Sequence, residues 1–377
     1  MRNIFARALL HRKRSKLDDE VFAEAVLFDD EEDMDIKRAR NTCKRPGGSN
    51  AHGREDYSAS TWARMLRDNV DELLNPSSAK AKLFRTRFRV PYPVFLKLLT
   101  WTKEWHEGEG HGTDCSGRAR IPTELKLLGV LRILGRSTCF DGIYELSGIS
   151  VPTMHKFFHS FTSWFADKIY PDFVFTPQTM DDLVKIQAAY ALLGLPGAIG
   201  SMDVVHIAWC TCPARLANLA KGKEGYTSIA YNVICDHEGR ALAELKGAYG
   251  ATSDNFVDDV RCDDFFTTAD GDRKMIKGAY LIIDGGYHPW EATQAVRKDI
   301  ECYFGRLKSR SCMLKTPVSF HSKTDIDNAF FTCVGLQNIL HDWDKEIGNL
   351  TMWDVEADWG DFDDETPEDE DDDVTRH

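Results

Sequence analysis

The second half of the chain alternates short apolar runs with longer amphipathic ones. Four of the short runs have the length and composition of buried strands, and they cover residues 198–209, 227–236, 240–249 and 279–284. Two later segments, 291–311 and 324–345, carry apolar residues at helical spacing. We interpret residues 253–270, between the third and fourth strands, as a helix or a loop. The pattern predicts an α/β arrangement of strands with flanking helices.

The first half of the chain has a different pattern, which predicts helices only. Leu, Trp and Phe recur at three- to four-residue spacing in three segments, 61–74, 91–106 and 121–168. A turn at Gly148-Ile149-Ser150 divides the last segment into a helix-turn-helix-like pair. Its second helix either contacts DNA through residues 151–161 or packs as a hairpin against the rest of the protein. Packing is favoured, because only Lys156, His155 and His159 offer polar groups there.

Charge is concentrated at the two ends of the chain. The formal net charge is −13, but most of it lies in residues 354–377, so the remainder is nearly neutral and compatible with a DNA substrate. Basic clusters near the N-terminus predict a nuclear signal, although a mitochondrial presequence or a solvated arm has the same composition. The acidic C-terminal segment could bind a basic partner, mask a DNA surface or, the favoured interpretation, maintain solubility.

These patterns divide the chain into four regions. We predict a disordered arm of alternating charge, a helical region, an α/β domain and an acidic disordered tail, at residues 1–60, 61–175, 176–345 and 346–377. The ten cysteines are scattered, which favours reduced thiols in an intracellular protein. No apolar run reaches the roughly 20 residues that span a bilayer, so we expect no membrane partner.

Three acidic residues occupy positions suited to metal chemistry. Asp203 lies in the first strand within GAIGSMDVVHIAW, and Asp284 ends the fourth within AYLIIDGGYHPW. Glu301 lies on the following helix within AVRKDIECYFGRLKSR. Carboxylates are the hard oxygen ligands that Mg²⁺ and Mn²⁺ prefer, and two such ions roughly 4 Å apart can clamp the attacking and leaving oxygens of a phosphodiester. We therefore predict a two-metal site formed by these three carboxylates.

The segments around these acids resemble those of PIF/Harbinger-type transposases. The matching segments fall in the order of that family and read GSMDVVHIAW, CPARLANL, GKEGYTSIAYNVICDHEGR, KGAYGATSDN, DGGYHPW, RKDIECYFGRLKSR and DIDNAFFTCVGLQNILHDW. The resemblance covers roughly residues 195–343. It implies an RNase H-like mixed sheet and a DDE nuclease that cleaves double-stranded DNA with Mg²⁺ or Mn²⁺. It also implies a Myb-like DNA-binding partner protein, and a homo-oligomer is a further expectation.

Other residues are expected to assist this site. The resemblance places Ser253-Asp254 where the family has an Asn-Asp pair in a small-residue loop, which makes Asp254 a secondary carboxylate. Arg297 shares the helical face of Glu301. Basic side chains of one loop and one helix are predicted to contact the DNA backbone: Lys221, Lys223, Lys298, Arg306, Lys308 and Arg310. His206 alternates to the opposite face of the first strand from Asp203, so we expect it to support the strand rather than bind metal.

One departure from the family keeps a second function open. Only residues 285–300 separate Asp284 from Glu301, a shorter stretch than the family usually has. A metal-dependent endonuclease and a catalytically inactive, domesticated or decayed transposase that binds DNA or chromatin are therefore both hypotheses. A third is a helix-turn-helix regulator whose nuclease-like half mediates dimers.

Overall fold

The computed structural model describes most of the central part of the chain. The described residues are 57–106, 120–175, 177, 180–245, 247–251, 261–267, 273–283 and 291–347. Most of the predicted N-terminal arm and residues 348–377 of the predicted acidic tail lie outside them. In the part of the chain that is described, no helix is both long and apolar enough to cross a membrane.

The first part of the structure is helical, as the sequence predicts. Its helices are α1 (Thr61–Asp68), α2 (Val70–Leu74), α3 (Ala79–Phe88), α4 (Tyr92–His106), α5 (Thr123–Arg136), α6 (Phe140–Ser147), α7 (Val151–Trp164) and α8 (Tyr170–Phe173). Serine caps start two of them, since the hydroxyls of Ser60 and Ser78 accept the backbone N–H of Ala63 and Ala81. A π-helical turn, Phe165–Ile169, joins α7 to α8.

The second part contains one mixed sheet and its covering helices. Its elements are α9 (Met180–Leu192), β1 (Ala198–Ala208), α10 (Ala217–Ala220), β2 (Ser228–Cys235), β3 (Ala241–Glu244), β4 (Ala248–Tyr249), β5 (Arg261–Thr267), β6 (Arg273–Ile283), α11 (Glu291–Arg310) and α12 (Lys323–Glu346). Five strands follow the order β3-β2-β1-β6-β5, and β4 pairs with the other end of β2. The pairing of β1 with β6 is parallel, and the other pairings are antiparallel.

The two faces of the sheet are covered by different helices. On one face, α9 packs Leu183 and Tyr190 against Met202 of β1. The other face belongs to a larger core that includes Val205 and Ile207 of β1 together with buried residues of α11, α12 and the N-terminal helices. Because residues of a strand alternate between faces, this division fixes which face each β1 side chain serves.

The coarse prediction of an α/β mixed sheet with flanking helices is confirmed, but several details are wrong. Within 253–270, predicted as helix or loop, residues Arg261–Thr267 form strand β5, which pairs antiparallel with β6. The fourth predicted strand begins at Arg273, six residues before the predicted start. The third predicted strand is broken into β3 and β4. Helix α3 was not predicted, although Ala81, Phe84 and Phe88 are buried at helical spacing.

Candidate active site

Asp203 lies near the middle of β1, on the face of the sheet that α11 covers. Its neighbours on that face along the strand, Val205 and Ile207, belong to the same core cluster as Ile300 and Leu307 of α11. Its partner across the strands is Val233 of β2, which is fully buried in that cluster. Asp203 is half-buried, and its Oδ1 accepts the backbone N–H of Val204 at 2.7 Å. The sheet therefore directs this carboxylate toward the side where α11 runs.

Glu301 lies on the third turn of α11 beside the buried stripe of that helix. Ile300, Tyr303 and Leu307 point into the core, whereas Glu301 is exposed. A helix anchored by these three apolar side chains presents Glu301 at the border between the core and solvent. Asp203 and Glu301 thus lie on two elements packed against each other, on the same side of the sheet.

Four predicted site residues cannot be placed in this way. Asp254 and Asp284 lie outside the described residues, and the side chains of Arg297 and Lys298 do as well, although both belong to α11. Among the described residues, no group of three or more His, Cys, Asp or Glu side chains is suited to hold a metal ion. The three-carboxylate site stays a prediction, since Asp284 lies outside the described residues.

His206 contacts the neighbouring strand of the sheet. Its Nδ1 and the hydroxyl of Ser228 are 3.1 Å apart, in the antiparallel pairing of β1 with β2. Since Asp203 and His206 are separated by an odd number of residues, alternation directs them to opposite faces.

Three of the predicted DNA-contacting lysines belong to one region at the sheet. Lys221 and Lys223 are exposed in the loop before β2, and Glu224 of the same loop interacts with Lys308 of α11. Burial lowers the pKa of Lys308, the carboxylate of Glu224 opposes that effect, and Lys315 adds to it. The structure thus brings one end of α11 toward the loop that carries Lys221 and Lys223.

Arg306 is directed to the other side of α11, over the turn between β2 and β3. Its Nη1 donates to the carbonyl oxygen of Glu238 at 3.4 Å, and burial lowers its pKa. Gly239 allows this approach, because a Cβ atom there would lie on the guanidinium and because its φ is +80°. The guanidinium of Arg306 therefore has a role in packing α11 against the hairpin.

Arg310 forms part of an ion-pair network at the end of α11. Its Nη2 lies 2.7 Å from Oδ2 of Asp344, and its Nη1 donates to Oε1 of Gln337 at 3.2 Å. Arg85 of α3 lies 3.1 Å from the other carboxylate oxygen of Asp344. With both oxygens of a buried carboxylate engaged, Asp344 joins α3, α11 and α12. No local sequence pattern indicates this contact, because Asp344 is distant from both arginines along the chain.

The helix-turn-helix-like pair is integrated into the core. Gly148, with φ of +72°, ends α6, and α7 starts at Val151. Met154, Phe157, Phe158 and Phe161 of α7 are buried. The rings of His155 and His159 lie against each other, and His159 Nδ1 is 3.4 Å from Asp325 of α12. These contacts agree with the interpretation of α7 as a packed hairpin, with Lys156 exposed.

The C-terminal part of the described structure is similar to a known family. The family model described as plant transposon protein matches residues 290–347, the stretch that forms α11 with Glu301 and α12. This match supports a transposase-related family for the chain. No curated protein matches the chain, and no solved structure does.

Proposed function

We propose that this protein is a transposase-like, metal-dependent DNA nuclease of the PIF/Harbinger type, with an RNase H-like catalytic core. The observation that carries the proposal is the placement of Asp203 on the face of β1 covered by α11, the helix that bears Glu301 and that falls in the transposon-protein match. The strand order β3-β2-β1-β6, with β6 parallel to β1, supports the RNase H-like part of the proposal.

The donor set fits a divalent cation by its chemistry. Asp203 and Glu301 supply carboxylate oxygens, Asp203 from a half-buried strand and Glu301 from an exposed helix edge. Mg²⁺ and Mn²⁺ prefer such ligands and keep several waters, so a partly open site suits them. Asp203, Glu301 and, by the resemblance, Asp284 would hold the metal. When bound, it would supply a nucleophilic water or hydroxyl and stabilise the leaving oxygen of the phosphodiester.

The chain's own residues would orient the substrate. Lys221, Lys223 and Lys308 belong to one region of the surface and would offer cationic contacts to the phosphates of a bound duplex. We propose DNA as the substrate and the nucleus as the location, with a Myb-like protein and a second copy of this chain as partners. An inactive DNA- or chromatin-binding protein of the same fold is the competing hypothesis, since residues 285–300 are a short separation for the family.

A plasmid-nicking assay tests the proposal directly. Purified full-length protein is incubated with supercoiled plasmid and Mn²⁺, beside the variants Asp203→Asn and Glu301→Gln. Glu145→Gln is the matched control, because Glu145 is an exposed carboxylate on α6. Losing a metal ligand removes several kcal/mol of transition-state stabilisation, so each site variant is expected to lose more than about 100-fold of the nicking rate.

Each result of that assay decides between hypotheses. Nicking by the wild type and by Glu145→Gln, lost in both site variants, supports the nuclease. Nicking that persists in Asp203→Asn and Glu301→Gln places the activity elsewhere and overturns the site. A wild-type protein that binds duplex DNA but does not nick it supports the inactive binding protein.

A further inference from the structure

Four arginines that the sequence analysis did not single out meet where α3 packs against α5. Arg87 and Arg89 stand at the C-terminal end of α3, and Arg132 and Arg136 lie one turn apart on α5. Arg132 Nη1 donates to the carbonyl oxygen of Arg87 at 3.0 Å, which ties the two helices together at this point. We call these four residues the arginine cluster.

Local packing holds the arginine cluster in place. Arg89 caps α3 with φ of +62°, and its N–H donates to the carbonyl oxygen of Arg85. Its side chain crosses Gly135 so closely that a Cβ atom at Gly135 would lie 2.6 Å from Arg89 Cγ. Gly135 precedes Arg136, so this packing keeps Arg89 next to the two arginines of α5.

Three members of the arginine cluster, Arg87, Arg132 and Arg136, have no acidic partner among the described residues. Arg85, on the same helix, is paired with Asp344. In the described part of the chain, no carboxylate lies within ion-pair distance of Arg87, Arg132 or Arg136. Burial lowers the pKa of Arg132, and the positive charges of Arg136, Arg87 and Arg89 lower it further. Grouped like charges oppose folding, and an anionic ligand would relieve that repulsion.

We infer that the arginine cluster binds the phosphate backbone of double-stranded DNA. A guanidinium donates two parallel hydrogen bonds to a phosphate and stays charged at any physiological pH, so arginines from two helices suit a polyphosphate. The choice of DNA over an acidic protein rests on the proposed function. The surface differs from the nuclease site and from α7, where Lys156 is the exposed cation.

The arginine cluster would position DNA rather than read its sequence. Phosphate contacts fix register and orientation and depend strongly on salt. The hydroxyls of Ser137 and Thr316, 2.7 Å apart just after α5, add neutral donors next to Arg136. A substrate held there and at Lys221, Lys223 and Lys308 would contact both the helical region and the sheet domain.

Fluorescence anisotropy with a labelled 30-base-pair duplex tests this surface in the full-length protein. Binding is measured in EDTA over a series of salt concentrations, so the result does not depend on nuclease activity. The test variant is Arg87→Gln with Arg136→Gln, which removes two exposed cations and leaves the half-buried Arg132 in place. The matched control, Arg64→Gln with Lys185→Gln, removes two exposed cations from α1 and α9.

The salt dependence of binding separates the outcomes. Each lost phosphate contact makes the plot of log K against log salt less steep by about one. The slope of the test variant should therefore be shallower than that of the wild type by about two, and the slope of the control should be unchanged. Equal slopes for the wild type and the test variant, or a shallower slope for the control alone, refute DNA binding by the arginine cluster. Neither result bears on the nuclease activity. A wild type that binds polyglutamate through the arginine cluster but not duplex DNA also overturns the inference and identifies an acidic protein as the ligand.

Discussion

Met202 and Ile283 are register partners in the parallel pairing of β1 with β6. Each is followed in the sequence by one of the predicted catalytic acids, Asp203 and Asp284. Asp284 itself lies outside the described residues. What the pairing shows is that β6 ends, at Ile283, beside the strand that carries Asp203.

Metal binding measured apart from catalysis should depend on these acids. We predict that Asp203→Asn and Glu301→Gln each weaken Mn²⁺ binding by at least about tenfold, because each substitution replaces a charged oxygen ligand by a neutral amide. Isothermal titration calorimetry in the absence of DNA measures the affinity. Glu145→Gln, on α6, should bind Mn²⁺ as the wild type does. Unchanged affinity in both site variants would show that Mn²⁺ binds elsewhere.

Much of the sheet could be predicted because apolar runs mark buried strands. The bounds of β1 and β2 lie within one residue of their predictions, since both strands are buried and rich in Ile, Val and Ala. Strand β5 could not be predicted in the same way. Its sequence, RCDDFFT, mixes charged and aromatic residues without alternation. Among the described strands it stands at the edge of the sheet and pairs with β6 alone.

The ion pairs of Asp344 should be more important for stability than for DNA binding. Asp344→Asn leaves Arg85 and Arg310 without their carboxylate, and breaking a buried pair is costly, so the free energy of unfolding should fall by about 3 kcal/mol. Urea denaturation followed by circular dichroism measures this change. The exposed pair of Lys80 with Glu72 is the control, since Glu72→Gln should cost under about 1 kcal/mol. Similar costs in the two variants would contradict the buried network.

Glu244 should make the protein less stable as the pH rises. Its carboxylate oxygens are shielded from solvent although the residue as a whole is half-buried. Burial raises its pKa well above the ordinary value, the Tyr170 hydroxyl opposes this, and the Asp327 carboxylate adds to it. The folded state thus holds a proton that the unfolded chain releases at the ordinary pKa of a glutamate. The stabilisation is complete below that value and is lost as the pH rises through the folded-state pKa.

Replacing this carboxyl by an amide should remove that pH dependence. Glu244→Gln is expected to gain stability over the wild type at pH 8 and to gain little or none at pH 4.5, near the ordinary pKa of a glutamate. Urea denaturation at both pH values measures the difference, and Glu145→Gln, at an exposed site, provides the comparison. A wild type that gains stability relative to Glu244→Gln as the pH rises would reverse the sign and refute the assignment.

The candidate site was predictable only where local sequence decides the position of a side chain. Strand alternation places Asp203 opposite His206, and helical spacing places Glu301 beside the buried stripe of α11. Contacts between residues distant in sequence could not be predicted. Nothing near Arg310 indicates its ion pair with Asp344. Nothing in α3 indicates that Arg87 and Arg89 meet Arg132 of α5. Such contacts depend on how helices pack, which no local pattern specifies.

A buried amide should couple the helical region to the sheet. Asn338 of α12 accepts the N–H of Ala241 at 3.0 Å and donates to the carbonyl oxygens of Ala241 and Phe173 at 2.8 and 2.9 Å. Asn338→Ala removes the partner of the buried N–H and carbonyl oxygen of Ala241, whereas the carbonyl oxygen of Phe173 keeps a hydrogen bond from Arg240. The free energy of unfolding should therefore fall by about 3 kcal/mol in urea denaturation. The exposed Asn218→Ala should change it by less than about 0.5 kcal/mol. Because Asn338 bonds to both β3 and the end of α8, fluorescence and circular dichroism should report one shifted transition. Two separate transitions in the variant would show that the helical region and the sheet unfold independently once this link is removed.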